Sequence, residues 1–408
     1  MPNPHRRLYV IALNPTDSVT EGFLPAAVRL GLDVTVLTEP GYAAAHRRAY
    51  EAQGPQVEVL ECEVRDFREV IGRISRHHAP DAVFSNSDHL QTQTALAAGY
   101  FGLPAKDWRA ALRTKNKAQM RRHLAAAGAD AVWSAELAPD QDPAALAARD
   151  VPWPVVVKPR EGVASEDVVL VADTAELLRH CAGIRARRPG AALVVEEFLE
   201  GELHTLETIG DGDLLHVLGG FRTELSDPPY FIEERLDFVP AHDPGVTGAL
   251  LDRLKALGVG LGACHTEFVL QADGRPRVIE VNYRSIGDQC DLLLAELLGI
   301  PYFETVLRAH LGEPLPADLG ARTDGRARLD YPLADRPGTL TAAPGAQELR
   351  IGDVRLTYRP LRDIGERHEI HHTNRDFLGV VRATGTDQER VNRAVANFIA
   401  AQHWEITP

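Results

Sequence analysis

The sequence predicts an α/β protein of two or three domains, because a chain of 408 residues is too long for one ordinary domain. Three observations support this fold class. Residues 1–105 alternate strand-like and helix-like segments, residues 133–200 carry a lysine between two β-branched runs, and residues 265–284 form a strand, a turn and a second strand. We expect a parallel α/β domain at 1–105, a second domain at 106–315 with a small mobile α/β lid at about 133–200, and a C-terminal α+β domain at 316–408.

The first domain is predicted from alternating segments. LYVIAL, DVTVLTE and DAVFS predict strands, and GFLPAAVRLG, EVIGRISRHH and LQTQTALAAGYFG predict helices. This alternation is typical of a parallel sheet with helices on its faces. The loop NPTDSVTEG follows the first strand, where open sheets of this kind bind ligands. Asp17 and Ser18 either cap the next helix or lie near an anion, and SNSDHL (Ser85 to Leu90) either caps a helix or contacts substrate.

Two lysines stand where they suit contact with phosphates. RTKNKAQMRRHLAAAG predicts a helix that ends near Gly128, with Lys117 in its first turn. Lys158 ends the β-branched run of VPWPVVVKPREGVASEDVVLV, and a loop of small residues follows at 162–165. The N–H groups of such a loop and the lysine charge can hold phosphates, although no Walker A motif is present. The alternatives are a solvated Lys117 and a structural Lys158.

The segment AALVVEEFLEGELHTLETIG predicts a strand that ends in two glutamates. The exposed backbone of a strand edge can bind the edge of an adenine, and the apolar residues that follow can line the face of its ring. The residues predicted to surround a base and its ribose are Glu196, Glu197, Phe198, Leu199, Glu202 and His204.

Two carboxylates and an amide converge in HTEFVLQADGRPRVIEVNYR. This stretch predicts a strand, a turn at Asp273-Gly274 and a second strand. Such a hairpin brings Glu267 and Glu280 to one end of a sheet, and Asn282 points to the same face as Glu280. Hard oxygen ligands of this kind suit Mg²⁺ held between protein and phosphates. The alternative is an ordinary exposed hairpin with acidic ends.

Four features, taken in chain order, resemble the ATP-grasp superfamily over roughly residues 106 to 315. They are Lys117, Lys158 with its small-residue loop, the EEFLEGE segment, and the set of Glu267, Glu280 and Asn282 in the hairpin. The hairpin followed by E-V-N-x-R is the most specific part, and it is similar to D-alanine–D-alanine ligase and biotin carboxylase. The stretch GGFRTELSDPPYFIEERLDFVP is similar to the L-amino acid ligases. One departure lies in the loop, where this family usually has more glycine, and the Cβ of Ala164 limits the approach of backbone to phosphate.

The resemblance implies ATP and Mg²⁺, with Mn²⁺ as a substitute, as cofactors. It assigns Lys117, Lys158 and Ser165 to the phosphates and Glu267, Glu280 and Asn282 to the metal. Arg284 falls where related enzymes carry an arginine, so its implied role is to stabilise an oxyanion or to bind a substrate carboxylate. The alternative for Arg284 is a salt bridge to a carboxylate of the metal site. Arg222 and Glu233 are expected to line the acceptor pocket.

The implied function is an ATP-dependent ligase that forms an amide between a carboxylate and an amine. The reaction passes through an acyl phosphate and releases ADP and phosphate. Amino acids, or a peptide-like or siderophore-like metabolite, are the expected small-molecule substrates. Two alternatives stay open: a carboxylase-type enzyme that activates bicarbonate, and a nucleotide-binding protein with impaired catalysis.

Composition excludes several other classes of protein. The net charge of −14 argues against nucleic acid as a partner. Cys62, Cys181, Cys264 and Cys290 are scattered, which indicates neither a zinc site nor a disulfide framework and favours the reducing cytoplasm. No apolar run is long enough for a membrane span or a signal peptide. A homodimer is compatible with this class.

The C-terminal region is predicted to be a separate unit. The polar stretch GEPLPADLGARTDGRA suits a boundary, and strands in LRIGDVRLTYRP and DFLGVVRATG precede a helix in DQERVNRAVANFIAAQ. His368, His371 and His372 cluster there. Since they lack the carboxylate spacing of a metal site, we interpret them as part of an exposed loop.

Overall fold

The computed structural model describes residues 6–51, 54, 57–320 and 324–408. The N-terminal part is a parallel sheet in the order β3-β2-β1-β4 with helices on its faces, as predicted. Strands β1, β2 and β4 are largely buried, as is typical of parallel sheets, whereas β3 at the edge is partly exposed. The strands are β1 (Arg7–Ile11), β2 (Asp33–Thr38), β3 (Val57–Glu61) and β4 (Ala82–Phe84), and the helices are α1 (Leu24–Arg29), α2 (Pro40–Tyr50), α3 (Phe67–Ser75) and α4 (Gln91–Tyr100).

A pair of helices, α5 (Trp108–Lys115) and α6 (Lys117–Ala126), leads to the lid. The sequence predicts one helix here, whereas the structure divides it at Asn116. The extended backbone of Asn116 ends α5, and its side chain caps α6 by accepting a hydrogen bond from Gln119 N at 3.0 Å. Lys117 is therefore the first residue of α6, as expected.

The lid is an antiparallel sheet in the order β5-β8-β6-β7 with one long helix. Its strands are β5 (Ser134–Leu137), β6 (Val155–Pro159), β7 (Val169–Val171) and β8 (Leu193–Glu197), and its helix is α7 (Thr174–Arg187). Val155, Val157 and Leu193 form part of its own apolar core with Leu177 of α7. Residues 160–168, which we call the tip loop, connect β6 to β7.

The central sheet contains ten described strands in the order β14-β13-β9-β11-β12-β15-β20-β18-β17, with β10 paired to β9. These strands are β9 (Glu202–Asp211), β10 (Leu215–Val217), β11 (Gly220–Leu225), β12 (Glu233–Val239), β13 (Leu261–Leu270), β14 (Pro276–Asn282), β15 (Arg326–Asp330), β17 (Gln347–Ile351), β18 (Val354–Pro360) and β20 (Gly379–Gly385). A smaller sheet joins β16 (Gly338–Ala342) to β19 (Arg367–His368) and β21 (Glu405–Thr407).

Four further helices cover the central sheet: α8 (Pro244–Leu257), α9 (Cys290–Leu298), α10 (Tyr302–His310) and α11 (Gln388–Ala401). Helix α10 joins the N-terminal part to the sheet, since the ring of Phe303 lies 4.9 Å from that of Phe23 and both belong to one apolar cluster. Gly22 makes this approach possible, because a Cβ there would come within 2.3 Å of Phe303.

The C-terminal strands extend the central sheet rather than forming a sheet of their own. Strand β15 pairs with β12, and β20, β18 and β17 follow it outward. The proposed boundary at residue 316 therefore divides a continuous sheet. Residues 321–323 of the expected boundary segment, and residues 1–5, 52, 53, 55 and 56 of the first domain, lie outside the described residues. The division into domains at 1–105, 106–315 and 316–408 remains a prediction.

Candidate active site

A cavity of about 580 Å³ lies between the lid sheet and the central sheet. It is lined by the tip loop, β8, the β9, β11 and β12 strands, and the hairpin of β13 and β14. Every predicted site residue except His204 contributes to its wall, namely Lys117, Lys158, Ser165, Glu196, Glu197, Phe198, Leu199, Glu202, Arg222, Glu233, Glu267, Glu280, Asn282 and Arg284. The fold thus gathers residues from far apart in the sequence around one space.

His204 is the predicted site residue that lies elsewhere. Its neighbours in β9, Leu203 and Thr205, line the cavity, so the alternation of side chains along a strand turns His204 to the other face. There it is buried, with its ring 5.7 Å from the ring of Phe268. This placement corrects the predicted position of His204 beside a ribose.

The hairpin brings its acidic residues together through the strand register. Glu267 is paired directly with Glu280 across β13 and β14, and His265 is paired with Asn282. The Asn282 amide donates from Nδ2 to Glu267 Oε1 at 3.2 Å, and Lys117 Nζ donates to Glu280 Oε1 at 2.8 Å. Lys117 thereby links helix α6 to the hairpin, and it is not the solvated helix residue that we considered as its alternative.

The donor set of the hairpin fits a hard divalent cation. Two carboxylates and an amide converge on the cavity, and oxygen atoms of this kind are the preferred ligands of Mg²⁺. Within the described part of the chain, no group of three or more His, Cys, Asp or Glu side chains forms a metal site. Mg²⁺ usually takes one or two carboxylates and completes its shell with phosphates and water, so the predicted set matches that habit.

His265 is a functional candidate that the sequence analysis missed. Its Nδ1 lies 2.8 Å from Glu207 Oε1, and its Nε2 lies 3.3 Å from Glu267 Oε1. Burial lowers the pKa of His265, but the two carboxylates outweigh burial and raise this pKa to about 10. A charged imidazole therefore holds Glu267 in place. Its position two residues before Glu267, on the same face of the strand, is the signal that could have revealed it.

Lys158 belongs to a buried ionic cluster whose third member was also missed. Glu196 accepts from Lys158 Nζ at 2.7 Å and from Arg121 Nε and Nη2 at 2.9 and 3.0 Å. Burial raises the pKa of Glu196, but the charges of Arg121 and Lys158 outweigh burial and lower this pKa to about 2. Glu196 thus positions Lys158 at the cavity wall.

The strand end predicted to face a base has part of its backbone already bonded. The N–H of Glu197 donates to Trp133 O at 3.0 Å, and the N–H of Phe198 donates to Pro154 O at 3.1 Å. These two groups are therefore not available to the edge of an adenine. Phe198 and Leu199 still line the cavity with apolar surface, as expected of residues against the face of a base.

The tip loop adopts backbone angles that favour glycine although it carries larger residues. Ala164, Ser165 and Asp167 have φ angles of 55°, 55° and 57°, in the left-handed region. Lys115 Nζ donates to Gly162 O at 3.1 Å and also pairs with the buried Asp88. Ala164, where related enzymes usually have glycine, is thus held in a backbone conformation that is unfavourable for alanine, and the surrounding contacts must stabilise it.

The end of the cavity beyond the hairpin combines two carboxylates with one arginine. Burial and the nearby carboxylates of Glu267 and Asp288 raise the pKa of Glu233 to about 8. Among the described residues, no side chain is hydrogen-bonded or ion-paired to the carboxylate of Glu233 or Asp288. Burial lowers the pKa of Arg284, but Asp88 and Asp288 outweigh burial and raise it, so the guanidinium stays charged.

Arg222 and Glu202, two further predicted site residues, lie at the solvent-exposed mouth of the cavity. The Arg222 side chain is 48% exposed, and its Nη2 donates to Asp237 Oδ2 at 3.2 Å. Its Nη1 lies 3.9 Å from a Glu202 carboxylate that is itself largely exposed. Both are thus less firmly fixed than the buried residues of the hairpin.

Comparison with known proteins gives the fold a name. No protein-family model matches the chain. The crystal structure of an L-amino acid ligase from Bacillus licheniformis superposes with a TM-score of 0.81 at 21% identity, covering 100% of both chains. The chain has the ATP-grasp fold. The biotin carboxylase domain of 2-oxoglutarate carboxylase from Hydrogenobacter thermophilus, a dimer in complex with MgADP, ADP and bicarbonate, shares it with a TM-score of 0.71 at 13% identity, covering 98% of this chain and 91% of that one.

Two curated relatives match the chain in sequence. The uncharacterized protein y4rH of Sinorhizobium fredii is 27% identical over 421 residues, which cover 98% of this chain and 84% of that protein. Dapdiamide A synthase of Enterobacter agglomerans is 24% identical over 218 residues, which cover 50% of this chain and 51% of that one. The ATP-grasp fold class predicted from the motifs is confirmed. The names of dapdiamide A synthase and the L-amino acid ligase agree with the expected ligase class, and the MgADP complex of the biotin carboxylase domain agrees with ATP and Mg²⁺.

Across the described ranges, none of the helices of this ATP-grasp fold combines the length and the apolar character needed to span a membrane.

Proposed function

We propose that the protein is an ATP- and Mg²⁺-dependent ligase that joins a carboxylate to an amine through an acyl phosphate. One observation carries the proposal. A single cavity is lined by two buried lysines, by the carboxylates of the hairpin and by a charged arginine. Positive groups for phosphates and oxygen ligands for a metal therefore surround the same space, which is what transfer of a γ-phosphoryl group requires.

The two lysines have fixed positions before any ligand binds. Lys158 is held by Glu196 and Lys117 by Glu280, at 2.7 and 2.8 Å. A buried side chain held in this way loses little conformational freedom when it contacts a phosphate, so the site is preorganised. Lys158 then neutralises charge on the terminal phosphates, while the N–H groups of the tip loop donate to their oxygen atoms.

The hairpin residues Glu267, Glu280 and Asn282 would hold Mg²⁺, which supplies charge neutralisation between the phosphates during transfer. His265 orients the Glu267 carboxylate for that role. Lys117, bonded to Glu280, keeps the second carboxylate turned toward the cavity.

The end of the cavity at Glu233, Asp288 and Arg284, which we call the acceptor end, favours an amine. Burial raises the pKa of the unpaired carboxyl groups of Glu233 and Asp288, and a cationic ammonium group beside them would favour their charged form, whereas an anion such as bicarbonate would oppose it. This electrostatic character supports the amide-forming reaction over the carboxylase-type alternative. Arg284, near both carboxylates, can bind the substrate carboxylate or the oxyanion of the tetrahedral intermediate. Amino acids carry both groups, so we propose amino acids or peptide-like metabolites as substrates.

The experiment that tests this proposal follows oxygen atoms. Donor carboxylates labelled with ¹⁸O are incubated with the protein, ATP, Mg²⁺ and a mixture of amino acids. We expect ADP release and label in the phosphate, because the carboxylate oxygen that attacks the γ-phosphoryl leaves with it. Label in AMP would refute the acyl phosphate. ADP release that depends on bicarbonate instead of an amine would identify the carboxylase-type enzyme.

The cellular setting is part of the proposal. All four cysteines are buried and free, which suits the reducing cytoplasm that we propose as the compartment. The biotin carboxylase domain from Hydrogenobacter thermophilus is a dimer in its crystal structure. A homodimer is accordingly the assembly that we propose for this chain, and light scattering would test it.

A further inference from the structure

A loop from the C-terminal strands reaches the wall of the cavity. Residues 369–378, which we call the C-terminal loop, connect β19 to β20, and Asn374 from this loop lines the cavity. The backbone N–H of Asn374 donates to Ala164 O of the tip loop at 3.4 Å. Its side-chain Oδ1 accepts from the backbone N–H of Glu233 at 3.1 Å. One residue thus bonds to the lid and to the acceptor end of the cavity.

The C-terminal loop is built around a buried carboxylate. Asp376 accepts hydrogen bonds from the backbone N–H groups of His371, His372 and Thr373 and from the His368 ring, which donates to Oδ1 at 3.0 Å. Asp376 is 2% exposed. Thr373 closes a capping box with it. A loop with this much internal bonding has one preferred shape, so it presents Asn374 at a fixed place.

Two further contacts dock the lid on the same loop. Arg375 pairs with Glu166 of the tip loop, and Glu166 also pairs with Arg188 at the end of α7. The ring of His372 stacks on Tyr230 with a centroid distance of 4.2 Å and an interplanar angle of 1°. Tyr230 in turn follows Pro229, whose carbonyl accepts from Leu170 N of the lid at 3.0 Å. The tip loop is therefore held by polar contacts to a distant part of the chain.

We propose that Asn374 is a positioning residue of the active site, and that the C-terminal loop couples the closed lid to the acceptor end of the cavity. The inference rests on the proposed ligase function for its kinetic consequence, but its structural content is independent of that function. The histidine cluster acquires a role here as part of the scaffold and stacking surface of this loop.

The coupling has a chemical consequence. An acyl phosphate that meets water yields the free carboxylate and inorganic phosphate, so that ATP is hydrolysed without amide formation. A lid aligned with the acceptor end keeps water out until the amine attacks the acyl carbon and phosphate leaves. Loss of the alignment should therefore lower the amount of amide formed per ADP released.

The first test measures the lid itself without substrates. Arg375→Met removes the ion pair with Glu166 and keeps a long side chain, while Arg367→Met is the matched control, since Arg367 is 72% exposed and pairs with Glu369. Hydrogen exchange of residues 160–170 should become about two- to fivefold faster in Arg375→Met, because ion pairs of this exposure have modest strength. It should be unchanged in the control. Equal exchange in Arg375→Met and wild type would overturn the proposed docking.

The second test measures coupling. Asn374→Ala removes the acceptor for the Glu233 N–H, and we expect the ratio of amide to ADP to fall about 2- to 10-fold, the range for one lost hydrogen bond. The KM for ATP should stay the same, because the lysines and the hairpin are untouched. A general loss of structure would lower both products equally and change the unfolding midpoint. An unchanged ratio would overturn the role of Asn374.

The two tests separate this inference from the ligase function. If wild-type protein forms no amide with any amino acid, the ligase proposal fails, and the exchange experiment still decides whether the C-terminal loop docks the lid. If amide forms, the exchange of the tip loop ignores Arg375→Met and the ratio of amide to ADP is unchanged in Asn374→Ala, the ligase stands and the coupling fails.

Discussion

The hairpin of β13 and β14 and the tip loop line the same cavity, and they are held by different kinds of interaction. The hairpin residues lie on the paired strands β13 and β14, of which β13 also pairs with β9 along its whole length, and their largely buried carboxylates are bonded to His265 and Lys117. The tip loop has left-handed residues and is held by ion pairs with half-exposed arginines. The comparison indicates that the hairpin forms a rigid end of the cavity, which would hold the metal. The tip loop forms an end that can be released, which would contact the phosphates.

The difference follows from where the holding partners lie in the sequence. Partners of the hairpin include its own second strand, so local pattern and register determine most of its geometry. Partners of the tip loop include Arg375, from the C-terminal loop, 209 positions away in the sequence. A lid must open to admit nucleotide, and weak, solvent-screened contacts permit opening that a buried ladder would prevent.

The largest effect that we expect is on stability, from breaking the buried ionic cluster beside the rigid end. Arg121→Met leaves Glu196, which is 3% exposed, with one cation where it had two. We expect the free energy of unfolding to fall by about 3–5 kcal/mol, as for other broken buried pairs. Urea denaturation measures it. Arg122→Met is the matched control, because that side chain is 60% exposed and should cost at most about 1 kcal/mol. Equal losses would show that burial does not distinguish the two pairs.

The second effect is on catalysis at the same end. Glu280→Gln keeps the shape of the hairpin but removes a charged metal ligand, so transition-state charge is less well neutralised. We expect ADP release to fall by about 100-fold or more, which corresponds to about 3 kcal/mol. Because the change also leaves the buried Lys117 without its charged partner, the unfolding midpoint should fall, and ADP release is compared at a temperature well below it. Glu348→Gln, on the exposed edge strand β17, serves as the control. Full ADP release by Glu280→Gln would remove the metal assignment.

A smaller effect is expected where a neighbour positions the metal ligand. His265→Gln can still donate to one carboxylate, but it carries no charge between Glu207 and Glu267. Since partners of metal ligands typically contribute 10–100-fold, the Mg²⁺ concentration for half-maximal ADP release should rise by about tenfold or more. His216→Gln, bonded to Leu319 O outside the cavity, should not change it. Unchanged Mg²⁺ dependence in His265→Gln would mean that Glu267 needs no positioning.

Local sequence reasoning worked best where the chain pairs with itself at short range. Glu267, Glu280 and Asn282 were predicted from one hairpin, and the ladder places them as expected. His204 differs, because it lies on the face of β9 opposite Leu203 and Thr205, which line the cavity, and no local pattern showed which face of β9 that would be.

Apart from His265, the missed residues share a cause. Arg121, Lys115 and Asn374 act across 75, 47 and 141 positions of sequence, on Glu196, Gly162 and Glu233 respectively. No local pattern marks such partners, because an arginine on a helix or an asparagine in a loop is usually solvated. The burial that gives them their roles exists only after the lid and both ends of the central sheet have come together.

The smallest effect separates the two ends by ionic strength. The Debye length falls from about 10 Å at 0.1 M salt to about 3 Å at 1 M, which weakens the exposed pairs of the tip loop but hardly affects buried ones. The side chain of Arg375 is 57% exposed, whereas those of Lys117 and Glu280 are 5% and 17% exposed. Hydrogen exchange of residues 160–170 should therefore become about twofold faster between 0.1 and 1 M NaCl, while exchange of residues 265–282 stays the same. In Arg375→Met the salt response of the tip loop should shrink, since that pair is already gone. A tip loop that ignores salt would be held by something other than its ion pairs, and a hairpin that responds as strongly would not be the rigid end of the cavity.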